Sequence, residues 1–250
     1  MARVIAPFKI VGTLDDLNFY IDQGDVNRVR RKRACGITKK QFKENPIFQT
    51  IKNQSAEFKL AVHKAQSFRM VALPFYRRAK DGSFAGRANK LMLDIRAEDN
   101  VNPHGARTVE EGLKSIEARE FSIGFEGNRL RPLHKVLKTK YGYEEKTNAF
   151  TIENFNPSTN LIWPEEAEFV NIAIARANWN YENNSFTTVY SEELIIDKDE
   201  APNKLQLQGE IPEGNHLELT FLYIGFSRLE RRKYIDLKRV NNTVSIIWSK

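Results

Sequence analysis

The strongest local signal in the sequence is a run of cations near its start. Phosphate binding is the chemistry such a run can do, because lysine and arginine displace the counterions that nucleic acids condense. On a β-strand the charges divide, with Arg28 and Arg30 on one face and Arg31 and Arg33 on the other. The alternative interpretation is a solvated edge strand, or a surface that docks on an acidic patch of another copy. The run and its continuation consist of Arg28, Arg30, Arg31, Lys32, Arg33, Lys39, Lys40 and Lys43.

A second cationic pair, Arg77 and Arg78, follows the aromatic residues Phe75 and Tyr76. Such a mixture can stack on bases and bind the phosphates of single-stranded nucleic acids. Cations that face the carbonyl dipole at a helix end explain the pair more simply. The glycine-containing segment 82–87 lacks both the Gly-Lys-Ser/Thr ending and the preceding strand of a phosphate loop, so it is interpreted as an ordinary loop.

No residues stand at the spacing of a catalytic, cofactor or metal motif. The four histidines are far apart in sequence and Cys35 is the single cysteine, so neither an intramolecular disulfide nor a zinc site is expected. The acidic groups at 165–168 and 192–193 match neither an EF-hand loop nor a glycosidase pair, and we interpret them as solvated or partner-facing surface. The sequence therefore predicts no metal, no cofactor and no enzymatic activity.

The net charge of +7 conceals an asymmetry along the chain. Residues 1–140 hold 28 Lys and Arg against 15 Asp and Glu, a net charge of +13, whereas residues 141–250 hold 11 against 17, a net charge of −6. Opposite charges can steer copies of one chain into head-to-tail contact. The N-terminus lacks the features of a signal peptide, and the longest apolar stretch, 217–226, is too short to span a bilayer. Cytoplasmic synthesis is expected, and the product could become part of a particle released from the cell.

The elements that must position these residues begin with a β-hairpin. Segments 8–11 and 17–21 alternate in hydrophobicity, and the second holds Phe19 and Tyr20. The basic segment 26–33 predicts a third strand at the sheet edge.

Helices are predicted after the hairpin. Thr38 and Gln41 have capping-box spacing, and residues 46–72 predict a helix about 40 Å long. Shorter helices are expected over 88–98 and after Thr108. The apolar face predicted for the long helix consists of Phe48, Ile51, Ser55, Phe58, Val62 and Ala65.

After residue 121 the period becomes alternating, which is typical of β-strands. Segment 216–227 is apolar on both faces and is predicted to be the central strand. The fold class is α+β, with an N-terminal β-hairpin plus amphipathic helices and a C-terminal antiparallel β-sandwich or barrel-like domain. The domains expected are a basic one over 1–121, a connection over 122–148 and an acidic one over 149–250. The predicted strands are 120–125, 149–155, 168–177, 185–190, 203–209, 216–227, 233–238 and 243–248.

The first 100 residues also resemble an uncharacterised family of bacterial proteins. The resemblance rests on GTLDDLNFY at 12–20, the basic strand after it, NPIFQT at 45–50 and the Glu57-Phe58 pair. Cys35-Gly36-Ile37-Thr38 departs from the Gly-Gly-Val-Ser more usual in that family. The family implies no activity, and it supports only the expected division of the chain.

Three hypotheses of function follow. The first is a non-enzymatic structural subunit that assembles with copies of itself into a tube, filament, sheath or phage-like particle through the hairpin and the oppositely charged halves. The second is a nucleic-acid-binding protein that uses segments 28–43 and 77–90. An enzyme of unrecognised type is the third, which a deep pocket with convergent polar groups would support.

Overall fold

The computed structural model describes residues 2–22, 24–32, 36–200 and 202–250 of the chain. It confirms the α+β fold class, with helices and antiparallel sheets. Its contacts form two compact units, Met1–Thr50 and Ile51–Lys250. The domains expected at 1–121 and 149–250 stay a prediction, although helices and strands of the larger unit share a core, as shown below. Arg33 and Cys35 lie outside the described residues.

The N-terminal unit contains a small antiparallel sheet followed by short helical segments. Helix α1, Lys39–Glu44, precedes a 3-10 turn at Pro46–Phe48. Thr38 and Gln41 form the capping box: the Thr38 hydroxyl accepts from the Gln41 N–H at 3.2 Å, and the Gln41 side chain accepts from the Thr38 N–H at 2.9 Å. The sheet has the order β1-β4-β3-β2, with strands β1 Ala2–Arg3, β2 Gly12–Leu14, β3 Leu17–Ile21 and β4 Asn27–Arg31.

Two details of this sheet differ from the prediction. The hairpin turn lies at Asp15 and Asp16, so the first hairpin strand is 12–14 instead of 8–11. Asp15 adopts a φ of 49°, a conformation that a short polar side chain tolerates. Strand β4 is not an edge, because it pairs with β3 along its whole length and with β1 at Arg28 and Val29. The expectation of a basic edge strand is therefore wrong.

Helix α2, Gln49–Val71, confirms the long predicted helix, but of its expected apolar face only Ala65 is buried. Ile51 and Phe58 are 52% and 49% exposed, whereas Ala61 and Phe68 are buried. The buried face of α2 consists of Glu57, Ala61, Lys64, Ala65, Phe68 and Val71. The other helices are α3 Leu73–Arg78, α4 Phe84–Ala97, α5 Val109–Gly112, α6 Ile116–Glu120, α7 Leu133–Val136 and α8 Pro157–Asn160. Segment 82–87 is only partly a loop, since α4 begins within it.

The sheets of the larger unit are built around two long strands, β7 Phe169–Asn180 and β11 Leu217–Glu230, which pair along their length. The remaining strands are β5 Gly142–Glu144, β6 Ala149–Glu153, β8 Ser185–Tyr190, β9 Leu194–Asp197, β10 Lys204–Gln208, β12 Lys233–Asp236 and β13 Thr243–Ser249. In the six-stranded sheet, β12 and β13 pair with β11, and β8 and β9 pair with β7; β10-β6-β5 form a second sheet. The strand predicted at 120–125 is wrong, because α6 ends at Glu120 and turns follow.

Strand β11 separates two hydrophobic cores. Leu219, Phe221 and Tyr223 pack with residues of helices α2, α3 and α4, whereas residues 222, 224 and 226 pack with the three-stranded sheet. Since successive side chains of a strand point to opposite faces, this is the arrangement that its doubly apolar sequence predicts. The larger unit thus has a helical layer on one side of the six-stranded sheet and the three-stranded sheet on the other, in keeping with the predicted sandwich or barrel-like architecture. No helix in the described part of the chain is long and apolar enough to cross a membrane.

Candidate functional site

One face of the N-terminal sheet is mainly apolar and the other is polar. The register places Leu14, Leu17, Phe19, Ile21 and Val29 on the first face, because Leu14 pairs with Leu17 and Phe19 with Val29. Arg31 and Asn27 lie on this apolar face too, since they pair with Leu17 and Ile21. On the opposite side lie Thr13, Asn18, Tyr20, Arg28 and Arg30. The sequence indicated that the charges would divide, and the register shows that most of the apolar side chains share a single face.

The apolar face of this sheet is only partly covered: Phe19 and Val29 are half-buried on it, and Asn27 is buried. Among the described residues of the first fifty, Asn27 is the only one that is buried. Leu14 is 66% exposed and Leu17 and Ile21 are 38% and 40% exposed. A sheet ordinarily buries its apolar face against a second layer. The large apolar side chains of this unit that are exposed are Ile5, Phe8, Ile10, Val11, Leu14, Leu17, Ile21, Ile37, Phe42 and Ile47.

Two arginines of the predicted phosphate-binding run, Arg28 and Arg31, form ion pairs within the N-terminal unit. Arg28 binds the carboxylate of Asp22, and this hydrogen bond holds the pKa of Asp22 below its usual value. Arg31 Nε donates to Asp16 Oδ2 at 2.8 Å. The Arg30 guanidinium lies 5.4 Å from the centre of the Tyr20 ring, a cation–π contact. The structure therefore brings Phe19, Tyr20 and three arginines into one small sheet, with two of those arginines neutralised locally.

The other predicted contact residues lie apart from the sheet strands. Lys32 directly follows β4 and is exposed, while Lys39 and Lys40 are exposed in the first turn of α1. Arg77 and Arg78 belong to α3 in the larger unit, and Arg77 is exposed there. No single surface of the N-terminal sheet thus collects all of these cations.

Arg78 has internal partners. It donates to both carboxylate oxygens of Glu193 at 2.7 and 2.8 Å and to Asp236 at 2.9 Å. Its guanidinium also lies 4.4 Å from the centre of the Tyr223 ring. This hydrogen bonding lowers the pKa of Glu193. These contacts join α3 to strand β12 and to the segment before β9, which argues against Arg78 as a contact for nucleic acid.

Glu126 is a polar group that sequence reasoning missed. It lines a cavity of about 280 Å³ together with His134, Tyr141 and Ser245. Its carboxylate accepts from the Leu133 N–H at 3.0 Å, and burial raises its pKa to about 7. An isolated glutamate between glycines and aromatic residues gives no motif, so nothing in the sequence could single it out. A group that exchanges protons near neutral pH can act as an acid or base. The Thr243 hydroxyl donates to Glu126 Oε2 at 3.4 Å, and Ser245 also hydrogen-bonds the carboxyl group.

No group of three or more His, Cys, Asp or Glu within the described ranges is placed to hold a metal ion. Comparisons with protein-family models, with curated proteins and with solved structures find no match to this chain. The site must therefore be interpreted from its own geometry.

Proposed function

We propose that this protein is a non-enzymatic structural subunit that assembles with copies of itself, using the apolar face of the N-terminal sheet as a contact surface. The observation that carries the proposal is the exposure of Leu14, Leu17 and Ile21 on one face of a sheet in which no described apolar side chain is buried. Exposing these side chains to water is unfavourable, because burying each one would stabilise the protein by roughly 1.5–3 kcal/mol. A neighbouring copy would supply the missing layer.

The kind of assembly that this surface suits is a tube, filament, sheath or phage-like particle. A sheet that packs on a different surface of the next copy makes a head-to-tail contact, and repeated head-to-tail contacts generate rings or open filaments. The basic residues 1–140 and the acidic residues 141–250 would steer this contact, so assembly is expected to be faster at low salt.

Nucleic-acid binding is less well supported by the geometry. Arg28 and Arg31 are paired with Asp22 and Asp16, and Arg78 is paired with Glu193 and Asp236. Neutralised cations release fewer counterions when they meet phosphate, so the electrostatic gain falls. Binding of random DNA or RNA that weakens steeply with salt would be the result that favours this alternative.

The proposal is tested by removing the apolar face while keeping the sheet. The double variant Leu14→Asp/Leu17→Asp places two carboxylates on the apolar face, and Thr13→Asp/Asn18→Asp places two on the polar face as the matched control. Light scattering and negative-stain microscopy should show large particles for the wild type and the control, and monomers for the first variant. A wild-type protein that stays a monodisperse monomer at high concentration and low salt would refute the proposal.

A further inference from the structure

A groove in the larger unit combines apolar walls with unpaired cations. It has a volume of about 700 Å³ and runs between the second half of α2, the start of α4 and the beginning of β8. Its apolar lining includes Leu73, Phe84 and Phe186. Phe186 is 40% exposed at the rim, so the apolar wall is open to solvent. Cavities of this size and composition are typical of sites for small organic ligands.

The ionisable side chains that give the groove its charge are basic, with no acidic residue among its lining. They are His63, Arg69 and Lys80. None of these three side chains has an ion-pair partner among the described residues, in contrast to Arg78 and Arg87 nearby in the chain. An anion would therefore meet a field that no carboxylate of the groove cancels.

The walls of the groove are held in place by polar contacts. The Ser67 hydroxyl accepts from Trp179 Nε1 at 3.1 Å and donates to the carbonyl of Asn184 at 3.3 Å. Lys64 Nζ donates to Asn184 Oδ1 at 3.0 Å and forms an ion pair with Glu110. These contacts fix α2 to the turn between β7 and β8. A ligand therefore meets a site that is already formed, which lowers the entropic cost of binding.

We infer that this groove binds an organic anion with an apolar body. Its carboxylate or phosphate would lie beside Arg69 and Lys80, and its apolar part would cover Leu73, Phe84 and Phe186. This inference is independent of self-assembly, because every residue that carries it belongs to the larger unit and none belongs to the N-terminal sheet.

Calorimetric titration of the full chain with four ligands of equal chain length tests the inference. Decanoate and decyl phosphate carry the two candidate anionic groups, decanol is neutral and decyltrimethylammonium is cationic. At least one anion is expected to bind about tenfold or more tightly than decanol, because hydrogen bonds to charged groups add to the apolar contact. The stronger of the two anions identifies the headgroup. Equal affinity for decanol and both anions, or no binding of any ligand, would overturn the inference.

Two variants locate the binding. Arg69→Gln/Lys80→Gln should weaken anion binding about tenfold or more, whereas Lys59→Gln/Lys135→Gln, which removes the same charge at exposed positions outside the groove, should not. Ala85→Trp should block the groove with its cations intact, and Ala56→Trp is its exposed control. Unchanged affinity in the Ala85→Trp variant would mean that the anion binds elsewhere, including on the apolar N-terminal sheet.

Discussion

At the scale of single residues, the larger unit is held by a few charged groups that lie inside it. Glu57 is fully buried and accepts hydrogen bonds from Arg96 Nη1 at 2.7 Å, Arg107 Nε at 3.0 Å and the Gly105 N–H at 2.6 Å. The hydrogen bond from Arg107 contributes most to lowering the pKa of Glu57 to about 2. One carboxylate thus joins α2, α4 and the loop before α5.

Replacing Glu57 by alanine should therefore cost about 3–5 kcal/mol of unfolding free energy, since two partly buried arginines lose their counter-ion. Urea denaturation measures this loss. The exposed neighbour Lys59→Ala serves as control and should change stability by no more than about 0.5 kcal/mol. Similar losses in the two variants would mean that the Glu57 network contributes little.

The raised pKa of Glu126 predicts that the stability of the protein depends on pH. Its pKa in the folded protein is about 7, above the usual 4.5, so the folded state holds the proton more tightly than the unfolded state. The stability that the neutral carboxyl contributes is complete below about pH 4.5 and is lost as the pH rises through 7. A shift of this size corresponds to roughly 3 kcal/mol.

The variant Glu126→Gln keeps an acceptor for the Leu133 N–H and cannot ionise. Relative to the wild type, it should be more stable at pH 8 than at pH 5, by up to roughly 3 kcal/mol. Denaturation curves at the two pH values measure the difference, with the exposed Glu230→Gln as control. A stability difference that does not change with pH would contradict the assignment of Glu126 as a neutral group below pH 7.

At the scale of elements, the sequence predicted best where both faces of an element are buried. Strand β11 was recognised because Leu219 and Phe221 alternate with Leu222 and Ile224, and both sets lie in a core. The periodicity predicts helix α2 with nearly the right length, but it assigns the wrong residues to the buried face. Ile51 and Phe58 are large yet exposed, while Ala61 packs inside. Hydrophobic spacing predicts that a stripe exists, and only tertiary packing decides whether this chain or another molecule covers it.

Helix α5 packs so closely on α4 that it depends on a glycine. A Cβ added at Gly112 would lie 2.1 Å from the carbonyl oxygen of Ile95, a backbone atom that cannot move alone. Gly112→Ala should therefore destabilise the protein by about 1–3 kcal/mol. Gly86→Ala, inside α4 with open space around it, should stabilise it by about 0.5–1 kcal/mol. Thermal unfolding of both variants checks this, and a stable Gly112→Ala variant would contradict the close contact.

At the scale of the whole molecule, the two compact units differ in what they bury. All residues of both hydrophobic cores lie between Ala61 and Ile247, so the larger unit contains its own cores. The N-terminal unit buries none of its described apolar side chains. The sequence could predict the hairpin and its charges from local patterns. It could not predict the exposed apolar face, which depends on the pairing register of Leu14, Leu17 and Phe19.

A chain that begins at Pro46, where the helical segment leading into α2 starts, should therefore unfold cooperatively with a melting temperature within about 5 °C of the full-length value. It should also fail to assemble. Circular dichroism and light scattering measure the two properties. A truncated chain that still forms particles would place the contact surface in the larger unit, and one that does not fold would contradict the self-sufficiency of its cores.

The position of β11 between paired strands and between two cores has a consequence for hydrogen exchange. Its backbone amides should exchange only through global opening, so their protection reports the stability of the fold and not the state of assembly. The amides of β2 and β3, in a sheet without its own core, should exchange rapidly in the free subunit and slowly once a neighbour covers it. Deuterium uptake at residues 12–21 would then report assembly in solution, and uptake at 217–226 in the same sample would report the stability of the fold as an internal reference.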